Sequence, residues 1–209
     1  SPAKTVRISR YLYFNAENWE HTLKLVGVSR CSMDDAYRFA PAAPGEEYVY
    51  GAASPGWHTL ADHETALTEW VEFMQEKGIG RVVCLLAGST NGGCHTNIQQ
   101  YAEAFGRENV MHAPMPNGPR LIEEETLQNE ILPFLSESVR LETPVVVHGL
   151  AGLGRTGQVI AAWLGYYHGY TPRSALKTAR EMGRFPREPT VAGNVTQKAL
   201  ETRLAVISR

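Results

Sequence analysis

The sequence predicts an α/β domain with a largely parallel central sheet, and three observations lead to this prediction. Short apolar runs alternate with longer segments of helical periodicity over most of the chain after residue 60. No internal repeat or low-complexity tract interrupts the alternation. The length of 209 residues suits one domain, and the 43% apolar content excludes a disordered chain. The ligand site of such a sheet lies beyond the carboxyl ends of its strands.

Each element follows from a local pattern. Apolar runs predict strands at 48–50, 81–86, 110–115 and 144–148, after an early strand suggested by Val6, Ile8, Leu12 and Phe14. Helical spacing predicts helices at 63–77, 97–105, 123–139, 155–168, 171–182 and 194–207. Pro133 lies inside the third of these and predicts a kink or break. Thr171 and Pro172 supply an N-cap and a first-turn proline for the fifth.

Composition excludes several classes of protein. The net charge of −2 argues against a general nucleic-acid or membrane-surface binder. The three cysteines, Cys31, Cys84 and Cys94, form no disulfide framework or zinc-ligand spacing, so we expect no metal, no cofactor and a reducing, cytoplasmic location. Neither a signal peptide nor a membrane span is predicted. The three aspartates, Asp34, Asp35 and Asp62, all lie in the first third, so later chemistry must proceed without Asp.

The turn after the 144–148 strand carries the strongest chemical signal. It reads His148-Gly-Leu-Ala-Gly-Leu-Gly-Arg-Thr-Gly157 and opens a helix. Glycines let backbone N–H groups converge on an anion, and the helix N-terminus adds partial positive charge. Arg155 could hold two oxyanion oxygens at once. A glycine-rich turn without a ligand is the alternative, and the arginine at the helix start favours an anion cradle.

This turn resembles the His-Cys-x5-Arg-(Ser/Thr) signature of the cysteine-dependent protein phosphatases. Leu-Ala-Gly-Leu-Gly-Arg-Thr-Gly is similar to the dual-specificity branch, particularly the mitotic-exit and cyclin-kinase-associated phosphatases. The resemblance covers roughly residues 50–200 and implies the protein-tyrosine/dual-specificity phosphatase fold, with a mostly parallel sheet flanked by helices. It implies that His148 supports the loop and that phosphate is bound by Leu150, Ala151, Gly152, Leu153, Gly154, Arg155 and Thr156. Residues 1–50 match no known segment and are expected to pack on a domain of residues 51–209.

Two positions depart from the family pattern. Gly149 stands where the family has its nucleophilic cysteine, so no phosphocysteine intermediate forms there. None of the three cysteines has the family's spacing to an arginine. Residues 113–119 resemble the family's acid loop, with Asn117 where an aspartate protonates the leaving group, and an amide cannot donate that proton. Glu123, Glu124 and Glu125 offer nearby carboxylates as a substitute acid, or simply begin a helix.

Two further segments gain candidate roles from the resemblance. Residues 187–191 followed by Gln197 resemble the loop and helix in which a glutamine positions the hydrolytic water; a solvated helix residue is the alternative. Arg180, Arg184 and Arg187 form a local basic cluster that could bind a second phosphate or an acidic peptide. Cations that favour a helix end are the alternative for this cluster.

The sequence therefore predicts a dual-specificity (Tyr/Ser/Thr) phosphatase family member that binds phosphate, sulfate or a phosphorylated protein without turnover. Glycine at the nucleophile position resembles the known phosphoserine/threonine/tyrosine-interacting pseudophosphatases, and an inactivated variant fits equally. One alternative is an active protein phosphatase in a parent form with cysteine at position 149. Another is an RNA 5′-phosphatase parent, against which the near-neutral charge argues.

Overall fold

The computed structural model describes residues 36–57, 61–87, 98–116 and 118–207. The part of the chain outside these ranges includes the predicted early strand, Asp34, Asp35, Cys31, Cys94 and Asn117. Within the described ranges the strands are β1 (Ala40–Pro41), β2 (Val49–Ala52), β3 (Arg81–Leu86), β4 (Val110–Met115) and β5 (Val145–His148). The strands predicted at 81–86, 110–115 and 144–148 are confirmed, and the one predicted at 48–50 lies at 49–52.

The strands form one sheet in the order β1-β2-β5-β3-β4. Strand β5 pairs in parallel with β2 on one side and β3 on the other, and β3 pairs in parallel with β4. Only β1 and β2 are antiparallel within the described chain. The predicted, largely parallel sheet is confirmed. The domain was expected to begin at residue 51, but β1 lies before this residue and β2 spans it. Residues between 40 and 50 therefore contribute to the sheet. The packing of the segment before β1 stays a prediction.

Helices cover both faces of the sheet. They are α1 (His63–Glu76), α2 (Ile98–Phe105), α3 (Glu124–Thr126), α4 (Leu132–Arg140), α5 (Gly154–His168), α6 (Pro172–Glu181), α7 (Glu188–Val191) and α8 (Gln197–Ile207). Thr171 caps α6 as predicted, because its side chain accepts a hydrogen bond from Ser174 N–H at 3.3 Å.

Pro133 does not break its helix. A π-helical turn, Leu127–Ile131, joins α3 to α4, and Pro133 lies in the first turn of α4. Proline lacks an N–H group, and its ring crowds the carbonyl four residues earlier. The wider π-helical turn that precedes Pro133 accommodates both the missing hydrogen bond and the crowded carbonyl. The predicted disruption is therefore a widened turn in a continuous helical segment.

An apolar core lies on each face of the sheet, so its central strands are buried on both faces. On β3, Val83 and Leu85 face a core shared with α5, whereas Val82 and Cys84 face a core shared with α1. Strand β5 alternates in the same way, so His148 points toward α1 and α2. The loop after β5 therefore begins at the carboxyl edge of the sheet, where the ligand site was predicted. No helix in the described ranges is long and apolar enough to cross a bilayer.

Candidate phosphate site

The loop between β5 and α5, which we call the phosphate loop after its predicted role, spans residues 149–153. It lines a pocket at the carboxyl edge of the sheet that we call the phosphate pocket. Every residue predicted to bind phosphate, from Leu150 to Thr156, lines this pocket. Gly149, Trp57 and Glu188 complete the lining. The structure thus brings the phosphate-loop residues together, as the signature spacing implies.

The carbonyl groups of this loop point away from the pocket. Leu150 O accepts hydrogen bonds from both the N–H and the hydroxyl of Ser54, each at 3.0 Å. Gly152 O accepts from Arg184 at 2.7 Å, and Leu153 O accepts from Gly157 N–H at 2.8 Å. Within the described residues, the amides of residues 150–153 donate to no carbonyl or side chain. This arrangement leaves their N–H groups available to an anion.

Arg184 is buried beneath the loop, with 1% of its surface exposed. Its guanidinium donates to three carbonyl oxygens from separate segments: Gly152 at 2.7 Å, Arg38 at 2.8 Å and Gly51 at 2.6 Å. Burial lowers the Arg184 pKa to about 9, which leaves the side chain charged at neutral pH. Arg184 therefore joins the phosphate loop to β2 and to the turn before β1.

The prediction that Arg184 belongs to a rim anion site with Arg180 and Arg187 is wrong. Helix α6 ends at Glu181, and Gly183 adopts a φ of +78°. Helices commonly end with a glycine in this left-handed conformation, and here the chain then turns toward the interior. Arg184 N–H donates to Ala179 O at 2.9 Å, which closes the turn. The turn directs Arg184 into the interior, while Arg180 stays exposed on α6.

Arg155 connects the loop to the ends of the central strands. Its Nη1 donates to Leu85 O of β3 at 3.3 Å and to Met115 O of β4 at 3.2 Å. The side chain lines the phosphate pocket and also a second cavity between β4 and α3. Two strand-end carbonyls thus orient the guanidinium that the sequence assigns to phosphate binding.

Gly149 has space for a side chain, unlike Gly152. A Cβ atom on Gly149 would lie 3.4 Å from its nearest neighbour, the hydroxyl of Thr156, and the backbone φ is not in the left-handed region. Gly152 has a φ of +69°, and a Cβ atom there would lie 2.5 Å from Ala52 O. Gly152 is therefore required by the loop conformation, whereas the backbone at 149 accepts other residues.

Thr156 lies beside Gly149, the position that the resemblance assigns to the nucleophile. Its hydroxyl oxygen accepts a hydrogen bond from Gly149 N–H at 3.0 Å. The hydroxyl has a proton of its own to donate. A thiolate at position 149 would thus find a hydrogen-bond donor in the existing structure.

His148 is fully buried directly before the loop. Its Nε2 lies 3.3 Å from the Tyr101 hydroxyl, its Nδ1 lies 3.4 Å from Gly149 O, and its ring packs edge-on against Trp70. Burial lowers the pKa of His148 to about 4, so the imidazole is neutral at physiological pH. These contacts are consistent with loop support, the role expected from the resemblance.

The segment after β4 forms the second cavity. Pro114, Pro116 and Gly118 line it together with Glu123. Glu124 instead forms an ion pair with Arg203 at 3.5 Å, which draws its carboxylate toward α8. Of the three glutamates considered as a substitute acid, Glu123 is therefore the one beside the cavity that Arg155 enters.

Gln197 is not among the residues that line the phosphate pocket. Its amide donates to Glu201 Oε1 at 2.6 Å, one turn along α8. The structure thus holds Gln197 along its own helix, and the predicted position beside the phosphate is not what the described residues show.

Four pocket or loop contacts had no assigned role in the sequence analysis. Ser54 and Arg38 bind loop carbonyls, Arg38 through a 3.5 Å contact to Ala151 O, and Trp57 and Glu188 form pocket walls. Arg38 and Glu188 carry no local signal, because only the tertiary fold brings them to the loop. No group of three or more metal-ligating side chains occurs in the described part of the chain.

Comparison with known proteins supports the fold and identifies a family. The family described as Tc-R-P, polymorphic toxin system, DSP-PTPase phosphatase, matches residues 58–169. The structure of Tk-PTP in its active form is 25% identical, with a TM-score of 0.56 over 80% of this chain and 97% of that chain. PTPMT1 in complex with PI(5)P is 13% identical, with a TM-score of 0.60 over 81% and 96%.

A third similar structure is the human tyrosine phosphatase-like serine/threonine/tyrosine-interacting protein. It is 15% identical, with a TM-score of 0.55 over 80% of this chain and 93% of that chain. No curated protein matches the sequence significantly. The family match covers more than half of the 209 residues. The chain belongs to the DSP-PTPase phosphatase family of polymorphic toxin systems.

Proposed function

We propose that this chain binds the phosphate group of a phosphorylated protein or peptide in the loop of residues 149–155 and does not hydrolyse it. The observation that carries the proposal is the orientation of the loop. Its carbonyls are held outward by Ser54 and Arg184, so its amides and Arg155 face one pocket. Convergent amides at a helix N-terminus are the usual recognition element for phosphate, and inorganic phosphate or sulfate would occupy the same place.

The absence of turnover follows from the side chains at two positions. Gly149 offers no nucleophile, so a phosphocysteine cannot form there. Asn117, at the position expected for the general acid, carries an amide that cannot protonate a leaving alkoxide. Loss of the thiolate also removes a negative charge that would repel a phosphate dianion. The same residues thus favour binding and prevent the covalent reaction.

Titration calorimetry with inorganic phosphate and a phosphotyrosine peptide tests the binding. Arg155→Met should weaken both ligands by about 30-fold, because a charge-assisted hydrogen bond to phosphate contributes about 2 kcal/mol. Arg140→Met is the matched control, since Arg140 is an exposed arginine on α4. Failure of either ligand to bind at millimolar concentration, or equal affinity in the Arg155 and Arg140 variants, would contradict the proposal.

The space at Gly149 supports a second candidate function, a protein phosphatase whose parent form has cysteine at this position. Gly149→Cys would place its Cβ atom 3.4 Å from the Thr156 hydroxyl, which can donate to a thiolate. The variant should hydrolyse p-nitrophenyl phosphate at least about 100-fold faster than Gly149→Ala. This substrate has a good leaving group, so Asn117 does not limit the assay. No turnover would leave only the binding function.

The choice of substrate for that parent form is a separate question. Gly149→Cys should act on phosphotyrosine, phosphoserine or phosphothreonine peptides if the dual-specificity resemblance extends to substrates. Faster release of phosphate from a 5′-triphosphorylated RNA than from the peptides would favour the RNA 5′-phosphatase alternative. We include in this proposal the resemblance of the loop sequence to the mitotic-exit and cyclin-kinase-associated phosphatases.

A further inference from the structure

The second cavity is much larger than the phosphate pocket. Its volume is about 310 Å³, against about 40 Å³ for the phosphate pocket. About 10–15 Å³ is enough for one water, so the phosphate pocket has room for about three atoms of that size, as many as the terminal oxygens of a phosphate ester. The organic group joined to a bound phosphate must therefore lie outside the phosphate pocket.

Arg155 connects the two spaces. Its side chain lines both of them, and its Nη1 donates to the carbonyl oxygen of Met115, which also lines the second cavity. Because one guanidinium borders both spaces, a group attached to a phosphate beside Arg155 can enter the second cavity while the phosphate stays on its loop. The second cavity is therefore placed to receive another part of the same ligand.

Apolar residues form half of the lining of the second cavity. Five of its ten lining residues are apolar: Pro114, Met115, Pro116, Leu121 and Ile122. Arg120 and Glu123 also line it, but they carry opposite charges and are exposed to solvent. An apolar group can therefore leave water and contact this wall without burying either charge.

Hydrogen bonds fix the wall of the second cavity. Gln158 of α5 is 4% exposed, and its amide donates to Arg120 O at 2.9 Å and accepts from Ile122 N–H at 3.1 Å. Arg203 of α8 also donates to Ile122 O. Gln158 lies one turn after Arg155, so a single helix orients both the phosphate-binding guanidinium and this wall. A wall held in this way adds little ordering cost to the binding of a ligand.

We propose that the second cavity binds the apolar organic group of a phosphate ester whose phosphate occupies the phosphate loop. This inference rests on the proposed phosphate binding and adds the chemical class of the ligand, an ester of a compact, uncharged hydrocarbon group. An apolar cavity of about 150 Å³ can hold a benzene ring, so a ring or a branched chain fits here. The same chemistry occurs in a phosphotyrosine residue and in a small alkyl or aryl phosphate, and both belong in the test.

Calorimetry with methyl phosphate and 3-methylbutyl phosphate measures the contribution of the apolar group. The wild-type chain should bind 3-methylbutyl phosphate at least about tenfold more tightly. Each fully buried methylene contributes about fourfold in affinity, and part of the chain stays in contact with water. Equal binding of the two esters would overturn the inference.

A third ester, 3-(phosphonooxy)propanoate, separates an apolar site from a second anion site. It has a carboxylate where 3-methylbutyl phosphate has an isopropyl group of similar shape. It should bind more weakly than 3-methylbutyl phosphate, because its carboxylate must lose water to contact the apolar wall. Tighter binding of the carboxylate would assign the cavity to an anionic group beside Arg120 and would overturn the inference.

A larger side chain in the second cavity tests where the apolar group binds. Thr126 lines this cavity, and Thr126→Phe should fill part of it. The ratio of the affinities for 3-methylbutyl and methyl phosphate should then fall below about twofold, because the longer ester loses its contacts. Thr68→Phe, the same substitution at an exposed position of α1, should keep the wild-type ratio. A wild-type ratio in Thr126→Phe would place the apolar group elsewhere and contradict the inference.

Peptides separate the two sources of the ligand. Two peptides of one sequence are compared, one with phosphotyrosine and the other with phosphoserine at the same position. A phosphotyrosine preference at least as large as the 3-methylbutyl preference identifies a peptide as the ligand, and a smaller one identifies a small ester. Whichever preference is found must disappear in Thr126→Phe for the inference to hold.

Failure of this inference is distinguishable from failure of the phosphate site. If methyl and 3-methylbutyl phosphate bind equally to the wild-type chain, the phosphate site stands and the second cavity has no role in binding. If no ester binds at millimolar concentration, the phosphate site itself fails. Both results come from the wild-type chain, so they do not depend on the folding of Thr126→Phe.

Discussion

Arg184 donates a 2.7 Å hydrogen bond to Gly152 O, so a buried charge fixes the conformation of the phosphate loop from below. The same guanidinium binds the carbonyls of Gly51 and Arg38. Arg184→Met should reduce the free energy of unfolding by about 3 kcal/mol, because it removes the hydrogen bonds of a charged donor to three buried carbonyls. Urea unfolding of the variant at pH 7 measures this loss.

Arg173→Met provides the matched control on the preceding helix. Arg173 is exposed on α6, and its loss should change the unfolding free energy by no more than about 0.5 kcal/mol. Calorimetry with phosphate adds a second readout, since a displaced Gly152 carbonyl should weaken phosphate binding as well. Equal stabilities for the Arg184 and Arg173 variants would show that the carbonyl contacts contribute little.

The two loop glycines should lose stability to different extents when each is replaced by alanine. Gly152→Ala should destabilise the chain by at least about 2 kcal/mol, because alanine is strained at a φ of +69° and its Cβ atom would lie 2.5 Å from Ala52 O. Gly149→Ala should change stability by less than about 1 kcal/mol, since its Cβ atom would make only a 3.4 Å contact. Urea unfolding of both variants tests the difference. Similar losses in the two would contradict the loop geometry.

The contrast between these glycines marks what the sequence could and could not reveal. The order of strands and helices follows from apolar periodicity, and the spacing from Gly149 to Arg155 locates the anion cradle, since both are local properties. The sequence does not distinguish a glycine required by its φ from one whose position has space for a side chain. That distinction depends on Ala52 and Thr156, which only the tertiary fold brings near.

For Arg184 and Glu188, too, the sequence pattern does not give the position of the side chain. Helical spacing groups Arg184 with Arg180, but the positive φ of Gly183 turns the chain and buries the arginine. Glu188 has no distinguishing sequence pattern, and it reaches the pocket because Phe185 binds Leu153 O. Side-chain direction after a helix end depends on one backbone turn, which a periodicity argument does not contain.

His148 should make stability depend on pH in a mildly acidic window. Burial lowers its pKa to about 4 in the folded chain, against 6.5 for an ordinary histidine. Between these values the unfolded chain binds more protons, so stability falls as the pH decreases through this window and is constant above it. From pH 7 to pH 5 the loss should be about 2 kcal/mol.

Urea unfolding at both pH values checks this prediction in the wild-type chain and in His148→Asn. The variant should lose most of the pH dependence in this window. Arg155 and His112 also lower the His148 pKa by charge repulsion, so they remain unchanged in this experiment. An unchanged slope in His148→Asn would assign the acid sensitivity elsewhere.

Glu46 joins the start of β2 to the end of α5. Its Oε1 atom accepts hydrogen bonds from Tyr48 N–H at 3.0 Å and Val49 N–H at 3.3 Å. Its Oε2 atom accepts from Trp163 Nε1 at 3.1 Å and lies 2.7 Å from His168 Nε2. Burial raises the Glu46 pKa, but these hydrogen bonds together outweigh it, so the pKa lies below its usual value of 4.5.

Glu46→Gln should therefore destabilise the chain by about 2 kcal/mol at pH 7, because the amide presents a donor to groups that need an acceptor. A lowered carboxyl pKa contributes stability that is present above pH 4.5 and is lost as the pH falls through the folded value. The gap between the wild-type chain and the variant should therefore narrow as the pH falls below 4.5, and His148 does not affect this comparison because both chains contain it. Urea unfolding across this range measures the gap, with Glu47→Gln as the control, since Glu47 is exposed and should change stability little. A gap of constant size would mean that Glu46 acts through its shape and not through its charge.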